Sequence, residues 1–252
     1  VQEAVIPTMV TEWISWVDEA PRVGAHLDSS YATFRFEAAR LLYHSGRVRP
    51  AVDRLRGWLA SEPAGKYAVP AASLIIDTFL AAKDWSEGFT AAVDFESRLV
   101  KADGKFKTRL RDVAADCSLR LAEGAFKKQD YADAIFRVEA LIRSYPASAR
   151  ASEALILGAN AALALNDKPK AMGLFKRVRE PGSEVRAQLL LTALALAEEG
   201  YQFTAASQEA RTALSLPDAP LGKAGAKRGD LQRKALLYSW LAGDASLSKV
   251  LN

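Results

Sequence analysis

The chain has a single cysteine, Cys117, and two histidines, His26 and His44, in 252 residues. One thiol excludes an internal disulfide, and two imidazoles with one thiol are too few for a four-ligand metal site. That count fits either a reducing or an oxidising compartment. No run of eighteen apolar residues occurs; the nearest approach, 187–197, is broken by Gln188 and Thr192 and is too short to cross a bilayer. The chain opens VQEAVIPTMV, without the Met, basic stretch or apolar stretch of a leader, as expected of a processed chain or an excised fragment. Prolines number only 10, and no period-2 runs of β-branched residues stand between turn signals. Half the residues are apolar, so the reading is a globular, all-α chain with ample core.

Catalytic groupings are also missing. His44 follows Tyr43 near a helix end and His26 lies in a predicted loop, and neither has a nucleophile or carboxylate at helical spacing. Carboxylate pairs such as Glu198 with Glu199 fall at a helix end and read as solvated. Gly222, Gly225 and Gly229 with Lys223 lack the phosphate-loop pattern and a preceding strand. Neither a cofactor nor a metal is expected.

The net charge of +4 is unevenly spread. Residues 1–30 are acidic, whereas 98–111 carry Arg98, Lys101, Lys105, Lys107, Arg109 and Arg111 against Asp103. That basic segment reads as a solvated helix face or as a contact for an acidic protein or polymer. Aromatic residues are not interleaved with the basic ones, so nucleic acid is not an expected partner.

What the chain does have is a spacing. In KKQDYADAIFRVEALIRSYP, residues 127–146, the side chains of Tyr131, Ala134, Ile135, Val138, Leu141, Ile142 and Tyr145 share one helical face. Asp130 stands at the N-cap and Pro146 ends the helix. A second helical pattern, about 108–127, precedes it across a short turn, making a helical hairpin. Ala122, Ala134 and Pro146 are twelve residues apart, and small residues suit the closest approach of crossing helices. The same ruler fits Ala39, Ala51 and Pro63, and more loosely Ile76 with Gly88, Ala159 with Ala171 and Pro181, and Ala206 with Pro217. The small residue after each turn falls at 51, 88, 134, 171 and 206, at intervals of 37, 46, 37 and 35.

A helix–turn–helix unit with a period in the mid-thirties is the signature of an α-solenoid. The region 30–216 resembles the tetratricopeptide repeat (TPR) family in its small–small–Pro spacing and in turns such as QDYADAI, without the usual Trp and Gly of the first helix. The resemblance implies a right-handed superhelix of TPR-like hairpins. Within it, Tyr145, Pro146, Ser148, Ala151 and Ala154 resemble the paired repeats of bacterial envelope proteins, including outer-membrane assembly lipoproteins and periplasmic division or motility adaptors. That implies a bacterial envelope or periplasmic setting, with the cytoplasm as the alternative.

The expected organisation is one solenoid over 1–252: a capping helix and loop at 1–28, five hairpins over 29–216, a mobile loop at 217–229 rich in Gly and Pro, and a terminal helix with a partial cap at 230–252. Trp13, Ile14, Trp16 and Val17 form the apolar face of the capping helix, its tryptophans covering the first hairpin. Asp230 reads as the N-cap of the last helix. The interval of 46 places an insertion at 97–107, as a loop or a lengthened helix.

In the TPR family the first helix of each unit lines a concave surface, and the residue after its small packing residue faces that surface. These positions are Arg40, Asp77, Glu123, Asn160 and Ala195, with Phe36, Tyr43, Leu80, Phe126 and Leu163 nearby. The partner-binding candidates are Phe36, Arg40, Tyr43, Asp77, Glu123, Phe126 and Asn160. Family members that grip C-terminal carboxylates repeat Asn and Lys or Arg here, and only Asn160 fits. The expected function is a non-enzymatic adaptor that holds a peptide or helix of another protein, touching a membrane only through partners. The alternative is the helical, substrate-guiding part of a larger envelope enzyme such as a peptidoglycan-lytic one.

Overall fold

The computed structural model describes residues 7–20, 30–99, 101–179 and 181–243. Among the described residues there are thirteen helices and no strand. They are α1 (Thr8–Glu19), α2 (Tyr31–His44), α3 (Val48–Ser61), α4 (Ala68–Ala81), α5 (Trp85–Arg98), α6 (Gly104–Lys127) and α7 (Tyr131–Ser144). Then follow α8 (Ala151–Ala164), α9 (Lys168–Phe175), α10 (Ser183–Glu199), α11 (Phe203–Leu214), α12 (Asp218–Lys223) and α13 (Arg228–Leu241). The pairs α2/α3, α4/α5, α6/α7, α8/α9 and α10/α11 are five hairpins, so the chain is an all-α, TPR-like hairpin array. It forms two compact units, Val1–Ser118 and Leu119–Asn252, and α6 contributes residues to both.

One turn geometry makes all five hairpins. Gly46, Lys83, Gln129, Asn166 and Tyr201 have φ of +84°, +56°, +62°, +59° and +55°. The amide after each reaches back to a first-helix carbonyl: Arg47 to Leu42 O at 2.9 Å, Asp84 to Phe79 O at 2.9 Å, Asp130 to Ala125 O at 3.0 Å, Asp167 to Ala162 O at 2.9 Å and Gln202 to Ala197 O at 2.8 Å. This is the Schellman motif, which satisfies carbonyls that a helix end leaves open. The residue after the left-handed one then starts the second helix. Asp84, Asp130 and Asp167 accept the amides of Glu87, Asp133 and Lys170 at 3.2, 3.1 and 3.1 Å, as N-caps should. The left-handed residue always stands five before the small residue of the ruler, so the intervals of 37, 46, 37 and 35 recur in the backbone.

The ruler residues pack where the spacing puts them. Ala39, Ala51, Ile76, Gly88, Ala122, Ala134, Ala159, Ala171 and Ala206 are all buried. Two connections between hairpins also match: Gly65 N bonds Glu62 O and Ala68 N bonds Gly65 O, just as Ser148 N bonds Tyr145 O and Ala151 N bonds Ser148 O. Pro63 and Pro146 follow the last helical residues there, where a missing amide costs nothing.

In the first unit, α1 packs on α2 through Ile14 and Val17, with Tyr31 Oη donating to Val17 O at 2.8 Å and Arg54 of α3 gripping Asp18. The tryptophans do less than expected. Trp13 is half-buried with its ring edge against Phe34, and Trp16 is 78% exposed, because the 100° step between residues puts Trp16 on the side of α1 opposite its packed face. The long interval is absorbed by a lengthened first helix, since α6 has 24 residues against 14 in α2, α4 and α8. Asp103 starts it by accepting the amide of Phe106 at 2.7 Å.

In the second unit one core joins the end of α6 to α7, α8 and α9, and a second joins α10 and α11 to α12 and α13. Three expectations are corrected here. The stretch 217–229 is not a mobile loop throughout: α12 occupies its first half, with Pro220 and Leu221 buried in the α10/α11 core. Proline is tolerated in a first turn, whose amides lack intrahelical partners. Arg228 secures the rest by donating to Leu214 O at 2.8 Å and Leu216 O at 2.6 Å and pairing with Asp218. Asp230 is not a cap; α13 begins at Arg228 with Lys227 as its cap, so Asp230 lies in the first turn, where it pairs with Arg233. Finally, α9 stops at Phe175, well before Pro181, and its end tightens to three-residue spacing, with Arg177 N bonding Leu174 O and Val178 N bonding Phe175 O, both at 3.1 Å. His26, the loop at 21–29 and the partial cap at 244–252 lie outside the described residues.

Candidate partner-binding faces

The hairpin geometry decides which first-helix residues are free to meet a partner. In the first unit Phe36 is not among them. It is 7% exposed, stacked on Tyr67 at 4.8 Å between centroids and tilted against Trp58 at 6.5 Å, so it belongs to the core. Sequence alone does not separate the two sides of α2, because both carry aromatic residues. Arg40 is exposed and pairs with Glu37 at 2.7 Å, while Tyr43 is half-buried with its ring edge on His44 at 5.7 Å. Asp77 is exposed but engaged, accepting from Arg109 Nη2 of α6 at 2.8 Å. An unpaired carboxylate is therefore not what a partner would find on α4.

In the second unit the equivalent positions are less encumbered. Glu123 is half-buried and bonded by Arg120 one turn earlier at 3.1 Å. Phe126 is half-buried with its edge on Tyr131 at 5.3 Å. Asn160 and Leu163 hold the same places on α8, and both are partly exposed. Phe126 and Leu163 flank one core cluster, so α6 and α8 present a polar residue and an apolar residue each along the rim of that core. Ala195 continues the series on α10 and is half-buried.

Glu198, read as a solvated carboxylate, instead ties α10 to α13. It accepts from Lys234 Nζ at 2.6 Å and Tyr238 Oη at 2.7 Å. Burial and then the bonded Glu198 carboxylate push the Tyr238 phenol up to about 12. Glu199 pairs with Lys168 of α9. These partners lie 31 to 40 residues away, about one repeat, which is the only signal the sequence offers.

The three arginines of the basic stretch at 98–111 are paired at home: Arg98 with Asp94 at 2.6 Å, Arg109 with Asp77, and Arg111 with Glu96. Beside it, α3 and α5 border an open groove of about 450 Å³, with Leu59, Pro63 and Phe95 on its floor and the Arg56–Glu87 ion pair at its rim. Cys117 is fully buried against Gly88, and burial, with Asp116 adding to it, pushes the thiol up to about 11. A thiol so placed is a packing group, not a nucleophile. Among the described residues no cluster of three His, Cys, Asp or Glu side chains is placed to hold a metal, and no helix is long and apolar enough to cross a membrane.

No protein-family model matches the sequence, and no match to a curated protein was found. Among solved structures, the TPR2AB-domain:pHSP90-complex of yeast Sti1 is similar at 15% identity over 91% of this chain and 92% of that one, with a TM-score of 0.35. The P58(IPK) TPR domain is similar at 13% identity over 90% of this chain and 66% of that one, with a TM-score of 0.38. Overlays that loose leave the fold to be read from the turns and packing of this chain itself.

Proposed function

We propose that the chain is a non-catalytic scaffold that holds a peptide or helix of another protein against its first-helix faces. The supporting observation is the rim formed by Glu123 and Phe126 on α6 and Asn160 and Leu163 on α8. Two half-exposed apolar groups provide contact area there, and two polar groups provide direction. On the first unit Arg40 and Tyr43 are the corresponding candidates. Phe36 drops out because it is core, and Asp77 acts through Arg109. A bacterial envelope complex is the setting we infer, and it rests on the resemblance of residues 145–154 alone.

A photo-crosslinking amino acid at Asn160, compared with one at Arg56 on the second-helix side, tests the face in native cells. The expected result is a discrete adduct from position 160, lost when Glu123→Lys is added. Equal adducts from both positions would remove the reading. Fractionation of native cells tests the compartment, since a chain recovered wholly with cytoplasmic markers is not an envelope component.

A further inference from the structure

Lys101, Lys105 and Lys107 of the conspicuous basic stretch have no ion-pair partner among the described residues, but a second set of such cations is one the sequence does not make conspicuous. Arg143, Lys176, Arg177, Arg179 and Arg186 are exposed on the second unit, and among the described residues none of them has an ion-pair partner. The carboxylates of neighbouring helices are taken: Glu139 by Lys170 at 3.1 Å, Glu153 by Arg150 at 3.1 Å, and Glu184 by Lys223.

The Glu139–Lys170 pair sets α7 beside α9, and the hairpin alternation through α8 makes the two run in the same direction. Their C-terminal ends, Arg143 on one and Lys176 with Arg177 on the other, therefore fall at one edge of the unit. The early stop of α9 leaves Arg179 in the connection, and α10, packed on α9, begins there with Arg186.

A plainer account is that cations at helix C-termini complement the helix dipole. It covers Arg143 and Lys176. It does not cover Arg179, which is outside any helix, or Arg186, which sits near the N-terminus of α10, where a cation opposes the dipole. Five like charges held together, none with an ion-pair partner among the described residues, cost stability through mutual repulsion, and an external anion relieves it.

We propose that this edge is a docking site for an acidic segment of a partner protein. Guanidinium groups match carboxylates in forked, bidentate pairs, and four of the five cations are arginine. The apolar side chains between them, Leu174, Phe175 and Val178, are buried. They offer neither a stacking platform for bases nor an anchor for lipid tails. The site is separate from the Glu123–Asn160 rim and does not depend on it.

Fluorescence anisotropy with a labelled peptide of about ten glutamates tests the proposal on the whole chain. Arg177→Glu with Arg179→Glu should weaken binding by about tenfold or more, and added salt should weaken the parent further. Lys101→Glu with Lys105→Glu, the same change of net charge in the 98–111 segment, should cost less than about twofold in a screened solvent, because the edge cations and not the net charge hold the peptide. Equal losses in both variants, or no binding of the peptide, would overturn the site. Tighter binding of anionic vesicles or duplex DNA, lost in the same arginine variant, would overturn the partner class. If the Glu variant does not fold by circular dichroism, Arg177→Gln with Arg179→Gln gives the same reading.

Discussion

Gly158 of α8 lies so close to Val138 of α7 that a Cβ on the glycine would stand 2.9 Å from the valine Cγ1. Leu174 Cδ1 of α9 closes the other side at 3.3 Å. Three helices of one hairpin pair and its neighbour thus converge on a single missing methyl group. Gly158→Ala is expected to lower stability by about 1–3 kcal/mol in urea unfolding, because the core must shift to admit it. Gly124→Ala, with nothing within 4 Å of the added carbon, is expected to raise it by up to about 1 kcal/mol through helix propensity.

The five Schellman turns make an opposite pair of predictions. Lys83 has a Cβ in a left-handed conformation, so Lys83→Gly should gain roughly 0.5–1 kcal/mol. Gly46→Ala imposes the same strain on the first hairpin and should lose roughly 1–2 kcal/mol. Thermal melts of the two variants should move in opposite directions, and a shared direction would mean the turns are not built as described.

Asp130 and Asp230 look equivalent in sequence, each at the start of a helix, but only Asp130 caps one. Asp130→Ala should cost about 1 kcal/mol for the lost bond to the Asp133 amide. Asp230→Ala removes only an exposed ion pair with Arg233 and should change the midpoint little.

Cys117 gives a pH dependence with a definite sign. Its folded thiol titrates near 11, above its unfolded value near 9, so the unfolded chain loses the proton first. The stability this group contributes is complete below about 9 and drains away as pH rises toward 11. Cys117→Ala should therefore be less sensitive than the parent across that window. The parent thiol should resist alkylation until the chain unfolds.

How much of this was legible in advance can be followed residue by residue. Asp130, Ala134 and Pro146 mark their hairpin correctly because caps, helix period and stops are set by neighbours within a few residues. Phe36 was misplaced because helical period gives a face but not which of two faces is covered, and Tyr67 and Trp58, which cover it, come from other helices. Leu221 shows the same limit: a segment of prolines and glycines reads as a loop until a core reaches out to bury it.

Sequence by itself determined the all-α class, the five hairpins and the rhythm of their turns, since each rests on contacts of four or five residues repeated along the chain. Tertiary structure alone decided the charges. Arg109 and Arg111 find carboxylates on adjoining helices, while Arg143 and Arg186, over forty residues apart, fall at one edge with no ion-pair partner among the described residues. Coulomb interactions depend on distance in space, and only the packing of one hairpin on the next sets that distance.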